Sequence, residues 1–191
     1  MNERPQTSGL LPCFPIDLID RILKSGKAKK NMNKHFYLVC ILFAVVLLHQ
    51  LARLIIFPML AEQGSLEVMP FFNLVEVWNH GVSFGMMKDL AHSQWLLSGI
   101  SLSITAIMFF WLQKTEDKIS TIALSLIIAG ALGNVLDRIT LGAVADYLDF
   151  HAFGYHWPAF NFTDTAIICG VCLLIFASVT QPHNRCNSLT K

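Results

Sequence analysis

Four stretches of this chain are poor in charge for the length of a membrane crossing. They are His35 to Phe57, "HFYLVCILFAVVLLHQLARLIIF"; Gln94 to Gln113, "QWLLSGISLSITAIMFFWLQ"; Ile119 to Leu136, "ISTIALSLIIAGALGNVL"; and Thr165 to Thr180, "TAIICGVCLLIFASVT". A helix that crosses a bilayer needs about 20 mostly apolar residues. Each run therefore predicts a transmembrane helix, the short fourth one extended by residues before Thr165. The first run has no small-x-small site after its apolar stretch and continues through Arg53, so it reads as an uncleaved helix rather than a signal peptide. Its "YLVC" fails as a lipidation box, because Val39 is not small and too little apolar sequence precedes it.

The polar segments orient these helices. Arg4, Arg21, Lys24, Lys27, Lys29, Lys30 and Lys34 precede the first; Lys114 and Lys118 sit between the second and third; Arg185 and Lys191 follow the fourth. Positive charge marks the cytoplasmic side, so both termini are expected inside and the longer segments, Pro58 to Ser93 and Asp137 to Asp164, outside. The first outer segment contains "EVMPFFNLVEVWNHGVSFGM", rich in β-favouring residues, with Gly81 and Gly85 marking turns. It predicts a small sheet on the outer membrane surface.

Composition agrees with a membrane protein. The 191 residues are 54% hydrophobic and 14% charged, and the net charge of +1 supplies no basic field for nucleic acid. Cys169 and Cys172 form a C-x-x-C in an apolar helix without a second pair of ligands, and read as small residues packed there. The expected organisation is a cytosolic extension over 1–33, a four-helix membrane domain over 34–181 and a cytosolic tail over 182–191. The extension is either disordered or left untranslated, because Met32 opens "MNKHFYLVC" like a start.

Acidic residues beside the spans are costly and mark function or a partner. Asn161 has the spacing to cap the fourth helix, which puts Asp164 at its third position, in a capping box with Asp in place of Glu. Asp137 and Arg138 directly follow the third run, and Asn134 shares their helix face; the three predict a supporting polar network. Asp146 and Asp149 lie in "AVADYLDF". A carboxylate among Ala, Tyr, Leu and Phe is expected to have a raised pKa through desolvation. Asp149 reads as a loop acid at the membrane surface. Two aspartates sharing one proton hydrolyse an amide without metal or covalent intermediate, and Asp146 and Asp164 meet if helices three and four are neighbours. Other chemistries are poorly supported: Ser83 has no nucleophile elbow and no orienting carboxylate for His80, and no H-E-x-x-H is present.

These residues carry a resemblance. "NHGVSFGM" (Asn79 to Met86), "GALGNVLDRITLGAVADYLDF" (Gly130 to Phe150) and "WPAFNFTDTAIICG" (Trp157 to Gly170) make the chain resemble the lipoprotein signal peptidases, or signal peptidase II, over about Lys34 to Thr180. The resemblance implies four transmembrane helices, a small extracytoplasmic sheet forming a cradle, and a short outer loop helix. It implies an aspartic endopeptidase of the bacterial inner membrane, its site at the periplasmic face, that cuts diacylglyceryl-modified prolipoproteins just before the lipidated cysteine. By the same resemblance Asp146 and Asp164 are the catalytic pair. Asn134, Asp137, Arg138 and Asn161 support them, Asn79 contacts substrate, and Arg53 stands where the family carries a supporting lysine. No metal or cofactor, membrane lipids as surroundings and a monomer are expected.

The match has departures. His49 occupies a position where many members carry an acid, which reverses its electrostatic character, and Arg53 is not equivalent to lysine. Thr163 and Ala145 replace a common Ala and Val. Two other classes stay open: a proton-coupled carrier, which predicts acids spread through mid-membrane on several helices, and a scaffold without chemistry. The clustering of the acids argues against the carrier.

Overall fold

The computed structural model describes residues 33–81 and 93–180. The expected N-terminal extension, the C-terminal tail, Ser83 and Gly85 lie outside the described residues. In chain order the elements are α1 (Lys34–Leu60), β1 (Ser65–Met69), β2 (Phe72–Asn79), α2 (Ser93–Lys114), α3 (Lys118–Leu141), β3 (Val144–Ala152), β4 (Tyr155–His156) and α4 (Phe162–Thr180). All four helices are long and apolar enough to cross a membrane, with mean hydropathies of 2.4, 1.8, 2.0 and 2.1. The short outer helix has no counterpart among the described residues.

Local chemistry sets the helix ends. Asn33 caps α1 by accepting from Phe36 N at 3.2 Å. Asp117 caps α3 by accepting from Ser120 N at 2.7 Å. At the other end of α3, Gly142 adopts φ +79° and donates its N–H to Arg138 O, a left-handed cap that glycine adopts without a side-chain penalty. Pro58 lies within α1 two residues before its end, so the ladder bond that its missing N–H removes falls near the helix terminus.

The third helix ends later than its apolar run suggests. Asp137 and Arg138 do not follow α3; they lie inside it, and it continues to Leu141. Asp137 is tolerated there because three N–H donors reach its carboxylate.

Helix α3 is the centre of the bundle and packs against α1, α2 and α4. Leu112, Leu124 and Ile128 form a core cluster with Leu38, Met108, Leu132 and Leu174 around it. The α3–α4 contact is the closest approach. A Cβ added to Gly130 would stand 2.3 Å from the backbone oxygen of Thr163, and one on Gly170 would stand 2.7 Å from that of Ala123. Small residues let membrane helices approach to backbone distance, where dispersion and polar contacts replace the hydrophobic effect. The outward faces keep large apolar residues exposed, among them Phe43, Leu54, Phe110 and Ile168, as a lipid-facing surface requires. Cys169 and Cys172 are on such a face of α4; both are free and exposed rather than packed.

The sheet lies where α1 and α3 end and α4 begins. Its order is β1-β2-β3-β4, antiparallel throughout. It draws on both outer segments rather than the first alone, because "AVADYLDF" is part of a strand. Four consecutive residues, Val144 to Tyr147, are buried. That hides the alternation by which a strand exposed on one face is recognised. Asp149 is therefore no loop acid. It is 6% exposed, and accepts from Asn73 Nδ2 at 3.1 Å and pairs with His156 Nδ1 at 2.9 Å.

Candidate active site

Three elements converge on Asp146 and Asp164: β3, the last turns of α3 and the start of α4. In the β2–β3 ladder Leu74 pairs with Leu148 but Val77 pairs with Asp146, so β2 carries one extra residue at this point. A bulge bends the strand and re-aims side chains, and this one lies immediately beside Asp146. Asn79, at the end of β2, is held by an Asx turn, its Oδ1 accepting from Gly81 N at 3.1 Å. Its Nδ2 donates to Asp146 Oδ2 at 3.0 Å.

Asn161 joins the two carboxylates. Its Nδ2 donates to Asp146 Oδ1 at 2.7 Å, and its backbone N donates to Asp164 Oδ2 at 3.3 Å. Its Oδ1 accepts from Thr163 N at 2.8 Å and Asp164 N at 3.0 Å, which caps α4. The reciprocal bond from the Asp164 side chain completes the capping box. Asn134 Nδ2 donates to Asp164 Oδ1 at 2.7 Å. Thr163 Oγ1 donates to Asn134 Oδ1 at 2.5 Å and also contacts Asn161 Oδ1. Every oxygen of both aspartates thus accepts one N–H, which leaves each a lone pair for water, substrate or a proton.

Asp146 and Asp164 line one cavity of about 330 Å³, with Asn79 and the apolar Val144, Phe160, Ile167 and Ile168. Burial raises the Asp146 pKa to about 7, and the charge of Asp164 adds to the rise. The bonds from Asn79 and Asn161 oppose it. A carboxyl group that stays partly protonated at neutral pH, next to a second carboxylate, is the setting for acid and base work by one pair.

The remaining residues stand further out. Asp137 does not bond Asn134; it accepts from His49 Nε2 at 2.9 Å, Gln50 Nε2 at 2.9 Å and Ala145 N at 3.1 Å, and so fixes β3 one residue before Asp146. Among the described residues Arg53 reaches this cluster through Gln50, donating to its Oε1 at 2.9 Å. Arg138 is half-buried, and its Nε has no hydrogen-bond partner among the described residues. Sequence reasoning missed the contacts of Gln50 and Tyr147, and it noted His49 and Thr163 only as departures from a pattern. The available signal was His49 and Gln50 themselves, two polar residues inside an otherwise apolar run.

A family model described as signal peptidase (SPase) II matches residues 41–180. A lipoprotein signal peptidase of Vibrio campbellii is 47% identical over 115 residues, 59% of this chain and 68% of that protein. The one from Anaplasma phagocytophilum is 36% identical over 144 residues, 75% of this chain and 92% of its own. A bacterial membrane enzyme solved by the in meso method at 2.3 Å superposes with a TM-score of 0.65 at 30% identity, covering 81% of this chain and 94% of its own. Four spanning helices, a small sheet and these matches make the chain a member of the signal peptidase II family, membrane peptidases that remove signal peptides from prolipoproteins.

Proposed function

We propose that Asp146 and Asp164 are an aspartic dyad that activates water to cleave lipidated prolipoproteins just before the diacylglyceryl cysteine. The observation that carries this is the shared cavity, in which Asn161 donates to both carboxylates. Asp146, whose carboxyl is pushed up to about 7 by burial, is assigned the proton near neutrality. Asp164 is the ionised base, because the start of α4 favours negative charge.

In this mechanism a water lies between the two side chains and a scissile carbonyl. Asp164 takes a proton from the water as its oxygen bonds to the carbonyl carbon. Asp146 gives its proton to the carbonyl oxygen, forming a neutral gem-diol. Asp164 then passes its proton to the departing amine as the C–N bond breaks. Asp146 recovers a proton from a gem-diol hydroxyl as the new carboxyl group forms, which restores the dyad. The pair titrates together, so a rate–pH profile reports values of the pair.

The substrate reading rests on the cavity's setting. Ile167 and Ile168 of α4 place an apolar wall beside the carboxylates, suited to an acyl-bearing segment. The clusters of Lys and Arg before α1 and between α2 and α3 support cytoplasmic placement for those segments, and the opposite, outer face for the dyad. The test is cleavage by the protein in lipid vesicles of one precursor offered with and without its diacylglyceryl group, with products mapped by mass spectrometry. Cleavage of the lipidated form at the bond before cysteine is expected. Equal cleavage of both forms, or a cut elsewhere, contradicts the assignment.

A further inference from the structure

His49 stands in the middle of the apolar run of α1, fully buried, between two groups that are also fully buried. Its Nε2 lies 2.9 Å from Asp137 Oδ2 and its Nδ1 lies 3.2 Å from Tyr147 Oη. Its ring stacks on Tyr147, with centroids 5.8 Å apart and planes at 25°. Each partner also bonds toward one side of the dyad. Asp137 Oδ2 also accepts from Ala145 N at 3.1 Å, the residue before Asp146. Tyr147 Oη accepts from Phe162 N at 3.2 Å, between Asn161 and Asp164.

Donors and acceptors fit this row in one direction. Phe162 N–H points at the phenol oxygen. The phenol proton then needs an acceptor, and His49 Nδ1 is the group at hydrogen-bond distance. The other ring nitrogen carries its proton toward the carboxylate of Asp137. This ordering satisfies every polar atom with a neutral imidazole protonated on Nε2. His49, Tyr147 and Asp137 are all fully buried, so losing one of these three leaves buried groups unpaired.

We propose that His49 is a positioning residue for the cleavage reaction. It ties α1 both to the strand that carries Asp146 and to the first turn of the helix that carries Asp164. His49 touches neither carboxylate by hydrogen bond; it acts through Asp137 and Tyr147. The inference rests on the reading of Asp146 and Asp164 as the hydrolytic pair. It adds a residue at a position where a carboxylate is common in the family and only a side chain with two opposed polar atoms spans both partners here.

The test measures kcat and KM for lipidated precursor in proteoliposomes, with thermal unfolding of each variant alongside. His49→Ala is expected to lower kcat by roughly 10- to 100-fold, because sub-ångström misplacement of a reacting group costs on that scale, with KM within about twofold. Tyr147→Phe breaks the same row, so the double variant is expected to fall within about twofold of the worse single variant. His49→Gln, whose amide nitrogen reaches the place of Nε2, is expected to recover about fivefold or more of the lost kcat by restoring donation to Asp137. A His49→Ala kcat within about threefold of wild type, multiplied losses in the double variant, or no recovery with Gln overturns the proposal. If His49→Ala does not accumulate in the membrane, the His49→Gln and Tyr147→Phe pair alone carries the same coupling test. Failure of the functional reading looks different: the wild-type protein itself then leaves the precursor uncut.

Discussion

Replacing Gly133 with alanine adds one methyl group at the point where helix packing meets the dyad. On the Gly133 backbone a Cβ stands 2.4 Å from Thr163 Cγ2 and 3.3 Å from Thr163 Cβ. Ordinary carbon contact is about 3.5 Å, so the methyl of Thr163 must retreat by about 1 Å. The same side chain places its hydroxyl between Asn134 and Asn161, and those two amides donate to Asp164 and Asp146. The displacement therefore passes to both carboxylates through two hydrogen bonds. Overpacking of this kind costs about 1–3 kcal/mol of stability, and a shift of about 1 Å at reacting groups costs roughly 100-fold in rate. Turnover of lipidated precursor by Gly133→Ala in proteoliposomes is expected to fall on that scale while the protein stays folded. Thr163→Ser keeps the hydroxyl and removes the offending methyl, so in the Gly133→Ala background it restores most of the rate. It does not rescue Gly130→Ala, whose Cβ meets the backbone oxygen of Thr163 at 2.3 Å. Wild-type turnover by Gly133→Ala, or equal rescue of both alanine variants by Thr163→Ser, refutes the reasoning.

Further outcomes follow from the same contacts. The folded-state pKa of Asp146 lies above its ordinary value, so the folded protein binds the proton more tightly. Stability is expected to decline as pH rises from about 4 to about 7 and to level off above that; the interval from 3.8 to about 7 corresponds to at most roughly 4 kcal/mol. Unfolding midpoints across that range should fall for the wild type and lose most of the slope in Asp146→Asn; an equal slope in both assigns it to other groups. Asn79→Ala removes a bond that lowers the Asp146 pKa, so the rate inflection nearest neutrality moves to higher pH by about one unit; a shift to lower pH contradicts the assignment. Gly142→Val places a branched side chain at φ +79° and is expected to cost about 1–2 kcal/mol in unfolding experiments, with Gly142→Asn milder; equal stability of the two sets aside the strained-cap argument.

What the chain reveals before folding is mostly local. The four spans are legible because length and hydropathy decide a bilayer crossing. The cap of α4 is legible because Asn161, Thr163 and Asp164 meet within one turn. The end of α3 is read too early, since Asp137 looks like an exit from the membrane until donors from His49, Gln50 and Ala145 are seen around it. Strand β3 is concealed by its depth, four buried residues in a row giving no alternation. Asp149 looks solvated because Asn73 and His156, which enclose it, come from other strands. The meaning of His49 lies in contacts with Asp137 and Tyr147, 88 and 98 residues away, and no local pattern encodes them.

The central claim is that two aspartates share one hydrolytic task. It is tested most directly by the single variants Asp146→Asn and Asp164→Asn in the full-length protein, reconstituted in lipid with lipidated precursor. Each substitution keeps shape and removes the ability to exchange a proton. The expected result is product formation below about one-thousandth of the wild-type rate in both, with membrane insertion intact. Cleavage at the wild-type rate by either variant contradicts the account.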